Sequence, residues 1–357
     1  MIKAKDYILG IKPYKAGKSK IAGDIKAVKL SSNENALGLS PKSESAYREH
    51  SNKIARYPDS GTNLLKEAIA KKHYIDADKI VCGAGSDEII ALLTHSFCDV
   101  GDEVLYSEYG FLMYPISAIR VGAKAVAAKE TNLTANVDNI LSAISNRTKM
   151  IFLANPNNPT GSYLPASEIE RLIQNVRNDI VIVLDLAYAE FVDEKDYPDA
   201  IKLVHKYENV VMTRTFSKIH GLASLRLGWS YSSAYVADVL NRARGPFNVS
   251  GAAQLAGIAA INDDDFIEKS KNHNNQWLKT LAIEFDKIGI KHNPSFANFI
   301  LIDFLNTDKC QEVNNFLMNN GVILRDMKSY NLPNCLRMTI GTKEENLLVI
   351  KLLKEII

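Results

Sequence analysis

From about Tyr57 to Tyr231 the chain keeps one rhythm, in which short β-rich runs are separated by amphipathic stretches of helical character. The runs are "KIVCGAG", "DEVLYSE", "KAVAAKE", "KMIFLAN", "IVIVLD" and "NVVMTRTF". Strands that alternate with helices in this way predict an α/β layer with a mostly parallel sheet flanked by helices. After Gly245 and Pro246 the texture changes. A long helical region rich in Ala, Asn and Lys runs to about Lys287. It is followed by "NFILIDF", a polar helix with "QEVNNFLMNNG", the strand "VILRDM", "CLRMTIGT" and a last helix. This part reads as a smaller α+β unit. The expected division is a large domain over 44–245, with the N-terminal arm (1–43) and a small C-terminal domain (246–357) beside it. A length of 357 residues suits one large and one smaller domain.

Charge and composition narrow the function classes. The chain carries 43 basic and 41 acidic residues for a formal charge of +2, which gives no footprint for a phosphate backbone. Nucleic acid is not an expected partner. The opening "MIKAKDYILGIKPYK" mixes charged with apolar residues and lacks the apolar core of a signal peptide. No stretch approaches the roughly 18 apolar residues of a membrane helix. A cytoplasmic protein with no membrane contact is expected. Cys82, Cys98, Cys310 and Cys335 are scattered, without a C-x-x-C pair or His at ligand spacing, so neither a metal site nor a disulfide framework is expected.

Three of the strands end in unusual turns. "VCGAGSDE" runs through Gly83 and Gly85 into Ser86 and then a helix; "FLANPNNPTG" ends in prolines and asparagines; "VIVLDLAYAEF" ends in a lone acid, Asp185. Ligands of open α/β sheets bind outside the carboxyl ends of the strands, so these turns share one candidate crevice with the stretch "TRTFSKIHGLASLRLGW". The Gly-rich turn offers backbone N–H groups and a helix N-terminus to an anion. It is not a dinucleotide fingerprint, because Glu88 stands where the third glycine of G-x-G-x-x-G belongs.

The last stretch carries the chemistry. Lysines are ordinarily solvated, but Lys218 sits in a turn of small and apolar residues, where an amine loses its proton more easily and forms Schiff bases with carbonyl compounds. Thr215 and Ser217 supply hydroxyls, and the Arg226 guanidinium suits a phosphate. A carbonyl plus a phosphate describes pyridoxal 5'-phosphate. Its ring nitrogen needs a carboxylate partner to stay protonated. Asp185 is placed for that role, although a helix cap or turn former would read the same way. Tyr188 and Asn158 could reach the ring oxygen.

These motifs resemble pyridoxal-phosphate enzymes of fold type I in the aspartate aminotransferase superfamily over nearly the whole chain. The likeness rests on "NPNNPTG", the Asp185/Tyr188 pair, "FSKIHGLASLRLGW" and "CLRMTIG", in the family's order. "LSSNENALG", "ARYPD", "GAGSDEII" and "VILRDMKSYNLPNCLRMTIGT" are similar to the histidinol-phosphate aminotransferase branch. The resemblance implies that Lys218 carries the cofactor and shuttles the proton, with Asp185 on the ring nitrogen and Asn158 and Tyr188 on the ring oxygen. It implies that Tyr109 stacks on the ring, that Gly85, Ser86, Thr215, Ser217 and Arg226 hold the phosphate, and that Tyr57 reaches in from the second subunit of a homodimer. Arg337, Arg325 and Asn33 are the implied substrate contacts. The implied reaction moves an amino group between glutamate (2-oxoglutarate) and histidinol phosphate (imidazole-acetol phosphate) in two half-reactions. An aromatic amino-acid or dual-specificity aminotransferase is the alternative, and a ligand sensor on the same fold a more remote one. Two departures stand out: Leu186 where the branch often has an acid, and Ser224 where glycine is common. Neither touches an implied catalytic role.

Overall fold

The computed structural model describes residues 2–13, 17–18 and 27–357, so part of the N-terminal arm assigned to the second domain lies outside the described residues. Seven strands form the main sheet: β1 (Ile80–Gly83), β2 (Glu103–Ser107), β3 (Lys124–Ala128), β4 (Thr148–Ala154), β5 (Val181–Asp185), β6 (Val210–Thr215) and β7 (Gly228–Tyr231). Their order is β1-β7-β6-β5-β4-β2-β3. Four neighbouring pairs are parallel, β2 with β3 and β4, β4 with β5, and β5 with β6. The seventh strand is antiparallel to both β1 and β6. This strand is not among the runs visible in the sequence: Gly-Trp-Ser-Tyr has no apolar run, and pairing on both sides is what makes it a strand.

The apolar strand "VIVLD" is β5, central in the sheet and buried along its whole length. A parallel strand covered on both faces needs no polar alternation. Its two faces feed two cores. Ile182 and Leu184 pack with Leu65, Ile169 and Leu172, while Val181 and Val183 pack with Ile89, Ile90 and Leu240. Helices therefore cover both sides of the sheet, as a βα alternation requires.

The helical region after Pro246 is two helices, Gly251–Ile261 and Asp264–Lys287, broken at Asn262 and Asp263, residues of modest helix propensity. The first of these packs on Pro41–His50 and Asn63–His73, and its Ala253 and Ala256 join the core of the main sheet. The second contributes Trp277, Leu281 and Phe285 to a separate core with Ile300, Leu336 and Val349. That core lies on a four-stranded antiparallel sheet of β8 (Lys291–Asn293), β9 (Phe299–Asp303), β10 (Arg325–Asp326) and β11 (Cys335–Thr339), in the order β10-β11-β9-β8. "VILRDM" is not one strand. Val322–Ile323 pairs in parallel with Val28–Lys29, whereas Arg325–Asp326 pairs with β11. This split ties the N-terminal arm to the second core, where Leu30 is buried. No helix among the described residues is long and apolar enough to cross a membrane.

Candidate active site

A cavity of about 390 Å³ opens at the carboxyl ends of the main-sheet strands. Lys218, Asp185, Tyr188, Asn158 and Asn33 line it, together with Ser86, Thr215, Ser217, Arg226, Arg325 and Arg337. Sheet topology explains the convergence. β4, β5 and β6 run parallel and end on one edge, so Asp185, the last residue of β5, lies there, and Asn158 and Lys218 follow the ends of β4 and β6. Because β7 runs the other way, its first residue also lies on that edge, and Arg226 just precedes it.

Lys218 is exposed only in part, and its Nζ lies 3.5 Å from the carbonyl oxygen of Ser32 and 5.8 Å from the centre of the Tyr188 ring. Burial, and then the positive charge of Arg337, bring its pKa down to about 8. This amine sheds its proton far more readily than a solvated lysine. Asp185 is buried, and two hydroxyls donate to it: Tyr114 to Oδ2 at 2.7 Å and Thr213 to Oδ1 at 3.2 Å. Neither brings positive charge, and burial pushes its pKa up. Tyr188 is also buried, its hydroxyl accepting from Asn33 Nδ2 at 2.9 Å, and burial raises its pKa. Arg337 donates to Asn158 Oδ1 and, at 3.1 Å, to the carbonyl of Ser31. Asn33 is held in the left-handed region at φ 55° and its N–H donates to Thr339 Oγ1 at 2.9 Å. Among non-glycine residues asparagine is one of the few that adopt that conformation readily.

The other end of the cavity gathers anion-binding groups. Arg226 Nη1 donates to Ser217 Oγ at 3.2 Å, and Nη2 pairs with Asp87 at 3.2 Å. Thr215 Oγ1 accepts the Ser217 N–H at 3.1 Å. Ser86 begins the helix Ser86–Phe97, which presents unused N–H groups and a positive terminus. Gly85 has φ +83°, which favours glycine, and a Cβ there would stand 2.4 Å from Arg226 Nη2, so a larger residue would also make the guanidinium shift.

A family model for aminotransferase class I and II matches residues 25–352. The chain belongs to this aminotransferase family. It is 50% identical to the histidinol-phosphate aminotransferase of Paramagnetospirillum magneticum over 352 residues, 98% of this chain and 97% of that one. The protein of that name from Maricaulis maris is 47% identical, covering 95% and 94%. Among solved structures, histidinol-phosphate aminotransferase from Sinorhizobium meliloti, in complex with pyridoxal-5'-phosphate, superposes with a TM-score of 0.87 at 25% identity, covering 94% of this chain and 91% of that one. A mutant aspartate aminotransferase of Thermus thermophilus shares the fold, with a TM-score of 0.86 at 19% identity and full coverage of both chains. The fold is thus the fold-type I transferase fold expected of the sequence.

Three of the expected site residues of this aminotransferase do not line the cavity. Gly85 stands just before Ser86 at the head of the helix, its N–H donating to the Gly83 carbonyl at 2.8 Å. Tyr109 turns away: its N–H donates to Glu130 Oε1 at 3.2 Å, and its side chain packs on the cluster of Leu301, Met327 and Tyr330. Phe111, two residues on, lines the cavity in its place. Tyr57 is 83% exposed and stacks on Phe247, with ring centres 4.5 Å apart. Other cavity residues of the aminotransferase have no sequence signal, Tyr114 and Tyr330 among them. Tyr114, fully buried and stacked on Phe152 at 4.7 Å, holds Asp185, and Tyr330 lines the cavity together with Arg325 and Arg337. The four cysteines are buried free thiols. Among the described residues no group of three or more His, Cys, Asp or Glu is arranged to hold a metal ion.

Proposed function

We propose that this aminotransferase uses pyridoxal 5'-phosphate to move an amino group between glutamate and imidazole-acetol phosphate, forming histidinol phosphate. The observation that carries the reading is the meeting, in one cavity, of an amine with lowered pKa at Lys218 and a buried carboxylate at Asp185 that the hydroxyls of Tyr114 and Thr213 hold. The residues fit the cofactor from end to end. Lys218 meets its aldehyde, Asp185 its ring N–H, Asn158 and Tyr188 its ring oxygen, and Ser86, Thr215, Ser217 and Arg226 its phosphate. Phe111 takes the stacking role expected of Tyr109.

When bound, the cofactor supplies an aldehyde for amines and a ring that accepts the electron pair left by a departing proton. The chain's residues do the rest. Nζ of Lys218, its pKa lowered to about 8, would take a proton from the amino-bearing carbon of the substrate and hand it to the former aldehyde carbon, and would run the transfer the other way in the opposite half-reaction. Asp185, fixed by Tyr114 and Thr213, holds the positive N–H of the ring in place. Arg337 grips the glutamate carboxylate, and with Arg325 the phosphate of the second substrate, since a guanidinium fork accepts either oxyanion. Tyr330 lines the same cavity. We further propose a cytoplasmic homodimer in which Tyr57 completes the partner's phosphate site.

The test has two parts. Protein mixed with pyridoxal 5'-phosphate should show a visible absorbance band that Lys218→Ala abolishes; no band in the unaltered protein would rule out the cofactor. Relative kcat/KM for histidinol phosphate against phenylalanine and tyrosine, with 2-oxoglutarate, decides the substrate. A preference for the aromatic acids would overturn the assignment in favour of an aromatic amino-acid aminotransferase.

A further inference from the structure

The turn Gly83–Ser86 is held in shape by a side chain that does not line the cavity. Glu88, in the first turn of the helix that begins at Ser86, reaches back so that its Oε2 accepts the Ala84 N–H at 2.6 Å. The same oxygen accepts the side-chain amide of Asn248 at 2.8 Å. Asn248 Nδ2 lies 3.1 Å from the Cys82 carbonyl as well, and its Oδ1 accepts from Arg244 at 3.3 Å. The turn is thereby stapled to a segment 160 residues away in the chain. Gly83 makes the approach possible, because a Cβ there would lie 3.2 Å from Glu88 Oε2 and 2.9 Å from Ile89 Cγ1.

These bonds decide which N–H groups remain for an anion. The Ala84 N–H is committed to Glu88, and the Gly85 N–H to the Gly83 carbonyl at 2.8 Å. What remains is the head of the helix, at Ser86 and Asp87, both on the cavity wall. A carboxylate in contact with a phosphate would repel it, so Glu88 can serve only through the backbone it holds. We propose that Glu88, seconded by Asn248, is a positioning residue that sets the Gly83–Ser86 turn for the phosphate of the cofactor. This rests on the cofactor assignment above.

The full chain, freed of cofactor, is titrated by absorbance with pyridoxal 5'-phosphate and with pyridoxal, the same aldehyde without the phosphate. Glu88→Ala should raise the Kd for the phosphorylated aldehyde about tenfold or more, the loss expected for charge-assisted hydrogen bonds, and leave that for pyridoxal within about twofold. Glu88→Gln, which keeps an acceptor oxygen for Ala84, should recover most of the loss. Asn248→Ala should show the same split to a smaller degree, and it carries the comparison if Glu88→Ala does not fold. Equal weakening of both ligands, or no change in either, overturns the proposal. A missing band in the unaltered protein would instead remove the cofactor assignment on which it rests.

Discussion

At the scale of single residues, Lys218 and Arg337 form the pair whose charges matter most. Burial is the larger cause of the lowered lysine pKa and Arg337 the next, so removing the guanidinium lifts only part of the shift. Uptake of the aldehyde by cofactor-free protein should rise with pH around a midpoint near 8. In Arg337→Gln that midpoint should move up, short of the 10.5 of an ordinary lysine. The measurement is the pH dependence of the rate at which the absorbance band appears, and an unmoved midpoint would mean that Arg337 does not act on the lysine. The same shift has a stability sign. Between about pH 8 and 10.5 the unfolded chain holds the Lys218 proton and the folded chain has released it, so raising pH through that window favours the fold. Below it both forms are charged, and the folded one bears the cost of enclosing the charge.

At the scale of elements, β7 meets the Gly83–Ser86 turn at close quarters. A Cβ on Gly228 would lie 2.4 Å from the backbone nitrogen of Ser86 and 2.7 Å from the carbonyl carbon of Gly85. Backbone cannot swing aside as a side-chain tip can. Gly228→Ala should therefore cost about 1–3 kcal/mol, lower Tm by a few degrees and weaken cofactor binding, as calorimetry and absorbance titration would report. Gly245→Ala, with nothing within 4 Å of the added carbon, serves as the control. How far such features can be read from sequence depends on the range of the forces that make them. β5 is legible because Val181 to Leu184 are apolar in succession and Asp185 ends the run. β7 is not, because its strand character comes from neighbours elsewhere in the chain. The lysine and the carboxylate are visible as polar residues at strand ends. Which aromatic of Tyr109, Phe111 and Tyr114 faces the cavity is hidden, because the bend at Gly110, closed by its N–H to the Ser107 carbonyl at 2.7 Å, decides it. Tyr114 finds Asp185 across 71 residues, beyond any local pattern.

At the scale of the whole molecule, the exposed Tyr57 is the test of assembly. An aromatic ring 83% exposed and stacked on Phe247 suits a contact that only a second copy completes. If Tyr57 serves the partner's site, Tyr57→Ala and Lys218→Ala should each lose activity, and a refolded mixture should regain it. Each mixed dimer would contain one site with both residues intact; no recovery would show that every site draws on its own chain. A different consequence follows from the pairing of Val28–Lys29 with Val322–Ile323 and from the bond that joins Asn33 to Thr339, 306 residues apart. During translation the first of these partners leaves the ribosome long before the second exists. The lysine-bearing edge of the sheet can form early, but the wall carrying Asn33 and Arg337 waits for the strand Cys335–Thr339, so the cavity is completed only after that strand has been made.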